Sequence, residues 1–263
     1  ELENDCDVTV ISGDIFDKKP EPDEICLFLS YANAVKKPTL AIPGNHEAST
    51  KGNSFLEYFE QERDITNKNF HLSTTNKRIE VNGQMFQLFP YGEMQVRKIP
   101  KYIEGDILVT HIRGEVPPHI TSEFDFEKIR PWKLVLLGDL HFNHKYKDYP
   151  VYYPGSPLNT TFDRDDKRSY GVDLVHFKDI DDYTVEFVDL NLPKLIRKTV
   201  EAGTELKSDP INHILYEVTG SIDRLSKVQN HELLDKKIAD KPQENSKLNL
   251  VNKTLPAGIL GNN

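Results

Sequence analysis

Cysteine is almost missing from this chain of 263 residues, which carries two, Cys6 and Cys26, and no CxxC pair. A disulfide framework is excluded, and a thiolate zinc site is a poor explanation; Cys26 has apolar neighbours, Cys6 stands just ahead of an apolar strand pattern, and each reads as a small buried hydrophobe. No apolar run approaches the ~18 residues of a membrane span. The opening ELENDCD is acidic, where a signal peptide would be basic and then apolar. A soluble, cytoplasmic protein with no membrane partner is predicted. Internal repeats and low-complexity tracts are absent, and the single tryptophan, Trp132, reads as core. The first residue, Glu1, stands directly ahead of a strand pattern, so a preceding strand is expected to be missing. Basic charge is also short: the net charge is −9, which argues against unspecific adhesion to nucleic acid. The acidic excess lies within residues 1–190, whereas 191–263 carry a slight basic excess.

What is present is a pattern repeated four times. The strings TVISGDIFD, TLAIPGNHE, DILVTHIRGE and KLVLLGDLH each run from an apolar strand into Asp, Asn or His, three of them across a glycine. Strands of one sheet that end together deliver those side chains to a common edge, where ligands of α/β proteins bind. Asp14, Asn45, His46, His111, Asp139 and His141 are therefore expected to converge on a site for metal, with room for two ions. Asp14 is the natural bridging carboxylate, Asn45 offers a neutral carbonyl oxygen, and His46 can give a proton to a leaving oxygen. Taken singly, GDIFD reads equally as a turn or helix cap, Gly-Asn as a turn, and a lone histidine as a structural one.

Between the motifs, Pro22 with Ile25, Phe28, Leu29 and Ala32 at helical spacing predicts a helix over 22–34. A second is expected over 54–61, making the start a βαβ unit. RIEVNG and QMFQLF predict a hairpin turning at Asn82-Gly83. Further strands are expected at 106–110, 134–137, 151–153, 170–176 and 184–190, and helices are scarce. Two stacked mixed sheets flanked by helices follow, with a boundary near Asn191 to Pro193. Beyond it, two strands (LIRKTV, HILYEVTG), a helical stretch over 221–238 and a strand near 247–251 are expected. The division is thus 1–190 for a catalytic domain and 191–263 for a small capping domain. Lys194, Arg197 and Lys198 cluster there as phosphate contacts. Arg113 and His119 are candidates for a substrate phosphate, and Tyr152 and Tyr153 for stacking on a base.

These motifs resemble the calcineurin-like metallophosphoesterases, whose pattern is D-x-H, GDxxD, GNH[DE], a lone His and GHxH. Within that family, THIRGEVPPHI, LLGDLH, YPGSPLNTTF, LPKLIRKT and HELLDKKI are similar to SbcD-type DNA nuclease subunits, particularly the exonuclease subunit of T-odd tailed bacteriophages. The resemblance implies a four-layer sandwich and two divalent ions, manganese or magnesium. Asp14 would bridge them, with Asn45, His111 and Asp139 on one and His141 on the other; His46 would be the acid or charge stabiliser and Asp17 would support the ligands from behind. It further implies a nuclease working in DNA recombination and repair with an SbcC-like coiled-coil ATPase, as a homodimer, in the host cytoplasm if phage-encoded. D-x-H is not found, and Asp139 stands where relatives have His; a carboxylate is a competent ligand for a hard octahedral ion. A phosphatase or cyclic-nucleotide phosphodiesterase of the same fold, or a non-catalytic scaffold, are the other readings.

Overall fold

The computed structural model describes residues 5–48, 53–61, 64–96, 101–115, 122, 124–162 and 169–239. Two compact units make up the chain, 1–196 with 210–213, and 197–209 with 214–263.

The first unit opens with β1 (Thr9–Ser12), α1 (Pro22–Ala34), β2 (Thr39–Ile42), α2 (Glu57–Gln61) and β3 (Phe70–Leu72). The three strands pair in parallel in the order β1-β2-β3. Pro22 starts α1, and the Glu24 carboxylate accepts the Glu21 N–H at 2.7 Å, satisfying a donor the helix itself leaves over. A six-stranded mixed sheet follows, built from β4 (Lys77–Val81), β5 (Gln84–Phe89), β6 (Ile107–His111), β7 (Val135–Gly138), β8 (His144–Lys145) and β9 (Val151–Tyr153), with the short helix α3 (Tyr91–Val96) after β5. Its order is β4-β5-β6-β7-β9-β8; β5, β6, β7 and β9 are parallel and the two edges antiparallel. The β4–β5 hairpin turns at Asn82 (φ +52°) and Gly83 (φ +81°), the left-handed pair that a tight two-residue turn requires. The hairpin of β10 (Gly171–Asp179) and β11 (Asp182–Asp189) completes the unit.

Side-chain alternation explains the layering. Along β2, Leu40 and Ile42 face a core shared with Phe86, Leu88, Ile107 and Val109 of the larger sheet, while Ala41 faces Phe28 and Ala32 of α1. Along β6, Leu108 points the other way, to Trp132, Leu137 and Tyr153. Two sheets with apolar layers between and outside them are the expected mixed sandwich, and the period of two carries it.

The second unit contains β12 (Leu195–Glu201) from Arg197 onward, β13 (His213–Gly220) from Ile214, α4 (Ile222–Leu225) and β14 (Leu234–Ala239), in the sheet order β12-β13-β14. Helix was expected throughout 221–238, but after one turn the chain returns as a strand parallel to β13. The reason is ionic: Asp235 and Lys236 of β14 pair with Arg197 of β12 and Glu217 of β13. The strand expected at 247–251 lies outside the described residues. Two smaller expectations also fail. Cys26 is exposed on α1 and Cys6 half-buried. Tyr152 and Tyr153 are both buried, 8% and 0% exposed, so neither ring can stack on a base. Tyr153 donates to the Ile112 carbonyl at 2.8 Å. Among the described residues no helix is long and apolar enough to cross a membrane.

Candidate metal centre

β1 and β2 of the small sheet and β6 and β7 of the large one end at a common edge. β1 turns through Gly13 (φ +95°) into Asp14 (φ +51°), and β7 turns into Asp139 (φ +103°). A non-glycine residue held at such angles costs about 1–3 kcal/mol and marks functional loops. Three glycines let the backbones approach: a Cβ on Gly13 or Gly138 would collide with the His111 ring, and one on Gly44 with the Asp14 carboxylate.

His111, fully buried, is the hub. Its Nδ1 lies 2.7 Å from the Ser12 carbonyl oxygen, which can only accept, so a ring proton resides on Nδ1. Nε2 then faces Asn45 Oδ1 at 2.8 Å, Asp14 Oδ2 at 3.4 Å and Asp139 Oδ1 at 3.9 Å. Burial lowers the pKa of His111, but the hydrogen bond and charge of Asp14, the Ser12 carbonyl and Asp139 outweigh it and hold the pKa above 6.5. Asp14 responds in the opposite sense: burial raises its pKa, His111 and the His46 backbone N–H lower it, and the net shift is downward.

Among the described residues no three His, Cys, Asp or Glu side chains stand ready to hold a metal ion, since the acids close on the His111 ring itself. The donor chemistry fits one nevertheless. The separations of 3.4 and 3.9 Å from His111 Nε2 to Asp14 and Asp139 fall in the range, about 3 to 4 Å, that separates ligands around one octahedral ion bound at ~2.1 Å, and the 2.8 Å to Asn45 lies just below it. With its NH2 inward, Asn45 donates to both Asp14 oxygens at 3.2 Å and to His111 Nε2 at 2.8 Å. With its oxygen inward, three acceptors confront one another, and only a proton on His111 or a cation satisfies them. His46 adds a second sign, because its Nδ1 is buried with no hydrogen-bond partner among the described residues.

Sequence reasoning missed the carboxylate that holds the two small-sheet loops together. Glu47, fully buried, accepts from the N–H groups of Asp14 at 3.1 Å, Phe16 at 2.8 Å and Gly44 at 2.7 Å. Desolvation pushes its pKa up against those bonds. Only the acid closing GNHE hinted at it.

Of the residues expected to converge, Asp14, Asn45, His111 and Asp139 do, and the His46 backbone N–H donates to Asp14 at 3.1 Å. His141 is exposed, with Nδ1 3.3 Å from Thr160 Oγ1, and makes no contact with the cluster among the described residues. Asp17 is exposed; the same turn buries Phe16 instead. Arg113 grips Asp139 with Nε at 3.1 Å and Nη2 at 3.4 Å. His119 lies outside the described residues. In the second unit, Arg197 is 3.0 Å from Asp235 and 3.7 Å from the buried Glu217, and Lys198 is exposed; Lys194, half-buried, belongs to the first unit.

Comparison with known proteins agrees with this geometry. The chain is 34% identical to a protein of Escherichia phage T5 named "Probable exonuclease subunit 1", over 94% of its own length and 76% of that protein's. Residues 1–176, which hold all four converging strand ends, match the calcineurin-like phosphoesterases, and the chain belongs to that family.

Proposed function

We propose that the chain is the nuclease subunit of a DNA-processing complex, hydrolysing phosphodiesters with two divalent ions, manganese or magnesium. The observation that carries this is the meeting of the Asp14 and Asp139 carboxylates and the Asn45 amide on the Nε2 side of His111, a donor set of hard and borderline character. The DNA substrate and the existence of a partner are taken from the name of the phage relative, an exonuclease subunit.

Bound there, divalent ions would polarise the phosphodiester and activate water for in-line attack. Asp14 is assigned as bridge, Asn45, His111 and Asp139 as ligands of one ion, and His141 as a ligand of the other. Asp17 backs the loop. His46, whose side chain lies in the field of Asp14, supplies the proton or positive charge needed at the leaving oxygen. Arg113 is a cation for a substrate phosphate. Residues 191–263 are assigned as the capping region, with Lys194 and Lys198 toward DNA backbone and Arg197, the third basic residue there, held by Asp235 and Glu217. The partner is assigned as an SbcC-like coiled-coil ATPase, the assembly as a homodimer of this subunit with it, and the role as recombination and repair.

The deciding experiment offers linear duplex DNA, bis-p-nitrophenyl phosphate, p-nitrophenyl phosphate and a cyclic nucleotide to the full-length protein with manganese. Cleavage of DNA well above the small esters is expected. Turnover of the monoester or cyclic nucleotide alone would transfer the assignment to a phosphatase or cyclic-nucleotide phosphodiesterase. Manganese binding without turnover of any substrate would leave a scaffold.

A further inference from the structure

The Asp139–Arg113 pair is the feature that the proposed metal chemistry does not itself require. Asp139 is nearly buried, its side chain 6% exposed, and it sits at φ +103° with Oδ1 3.9 Å from His111 Nε2. Both its oxygens are engaged by one guanidinium, that of Arg113, two residues beyond His111 on the neighbouring loop. A carboxylate carries about four lone-pair sites, so two Arg113 bonds leave Asp139 able to donate to a cation. The family pattern GHxH has a neutral imidazole at this position. Asp139 alone would add a negative charge to a site that already contains Asp14, and Arg113 alone a positive one. Together they add none.

Resting on the metal-dependent reading above, we infer that Arg113 is a positioning residue that makes Asp139 the electrostatic equivalent of a neutral histidine ligand. It sets the charge of the donor set, and so metal affinity, and it fixes the carboxylate in a backbone conformation that a loose side chain would not hold. The two positions form a single electrostatic unit. Arg113 thereby affects metal affinity in the absence of any nucleic acid, which a residue that only bound substrate phosphate would not do.

A double-mutant cycle read by manganese calorimetry on the full chain without DNA tests this. D139H leaves an uncompensated guanidinium beside the cation and is expected to weaken manganese binding at least tenfold. R113M removes the positive charge alone and is expected to tighten it severalfold. D139H with R113M should return to within about threefold of the parent. A double variant that binds no more tightly than D139H, or an R113M affinity equal to the parent, would overturn the inference and return Arg113 to a substrate contact. Should D139H fail to fold, as judged by circular dichroism, D139N and D139N with R113M replace it, with the same expected recovery. Failure of the parent itself to bind manganese would instead sink the metal-dependent reading, whatever the variants did.

Discussion

The Ser12 carbonyl oxygen and the Nδ1 of His111 lie 2.7 Å apart, so the end of β1 in one sheet is tied to the end of β6 in the other by the ring that also faces Asp14, Asn45 and Asp139. Its orientation is inherited from the backbone, since a main-chain acceptor fixes which nitrogen carries the proton.

That arrangement makes protons and metal ions competitors for Nε2. Without divalent ions, the His111 pKa is raised, so its contribution to stability is fully present below pH 6.5 and is lost as pH rises through the folded value. Manganese requires the deprotonated nitrogen, so its affinity should climb over the same window and level off above it. Calorimetry at several pH values in buffers of different ionisation enthalpy should record proton release below the plateau; none would mean that His111 is not titrated by the ion.

His46→Ala should retain manganese and lose about 10²–10⁴-fold in DNA cleavage, the range typical of a missing general acid. Single-turnover cleavage beside calorimetry checks this. Loss of the metal in that variant would make His46 a ligand.

Glu47→Ala should destabilise the chain by about 3–5 kcal/mol, because three backbone N–H groups in a buried turn lose their only common acceptor. Glu47→Gln, which keeps an acceptor oxygen, should cost about half as much. Urea denaturation followed by far-ultraviolet circular dichroism gives both values; equal stability of the Ala variant would mean that the loops relax and find other partners.

The basic residues around β12 should separate by role. Lys198→Ala and Lys194→Ala should each flatten the salt dependence of DNA binding by up to ~1 unit of log–log slope, and the exposed Lys198 should do so without loss of stability. Arg197→Ala should instead lower stability by about 1–3 kcal/mol, since Arg197 faces the buried Glu217 and Asp235. Filter binding from low to moderate salt, with a thermal melt of each variant, separates the two. A salt slope unmoved by either lysine would remove DNA contact from this part of the chain.

Much of this was legible in the sequence where one rule dominated. The alternation of Leu40, Ala41 and Ile42 gives β2 and its two faces, and Pro22 ahead of Phe28 and Ala32 gives α1. The strand-to-acid junctions gave Asp14, Asn45, His111 and Asp139 because an apolar run broken by a polar residue needs a local reason. Long-range ion pairs were not legible. HELLDKKI scores as helix by propensity, and nothing nearby in sequence announces that Asp235 and Lys236 will meet Arg197 and Glu217. The role of Glu47 was hidden for a similar reason, as two of the N–H groups it accepts from lie more than thirty residues upstream.

Gly13, Gly44 and Gly138 look in the sequence like three independent turns. In space, two of them border the imidazole of His111 and the third the carboxylate of Asp14 beside it, so each guards a share of one small volume. A methyl group on any of them would displace the ring, the Asp14 carboxylate beside it or the Ser12 carbonyl that the ring meets, so one substitution disturbs groups that all three glycines make room for. The three should therefore show strong negative epistasis of cost: one Gly→Ala change should ruin the centre, and a second should do little further harm. In a library randomised at all three positions, survivors would retain all three glycines, and a scan of single positions would find each indispensable for the same shared reason.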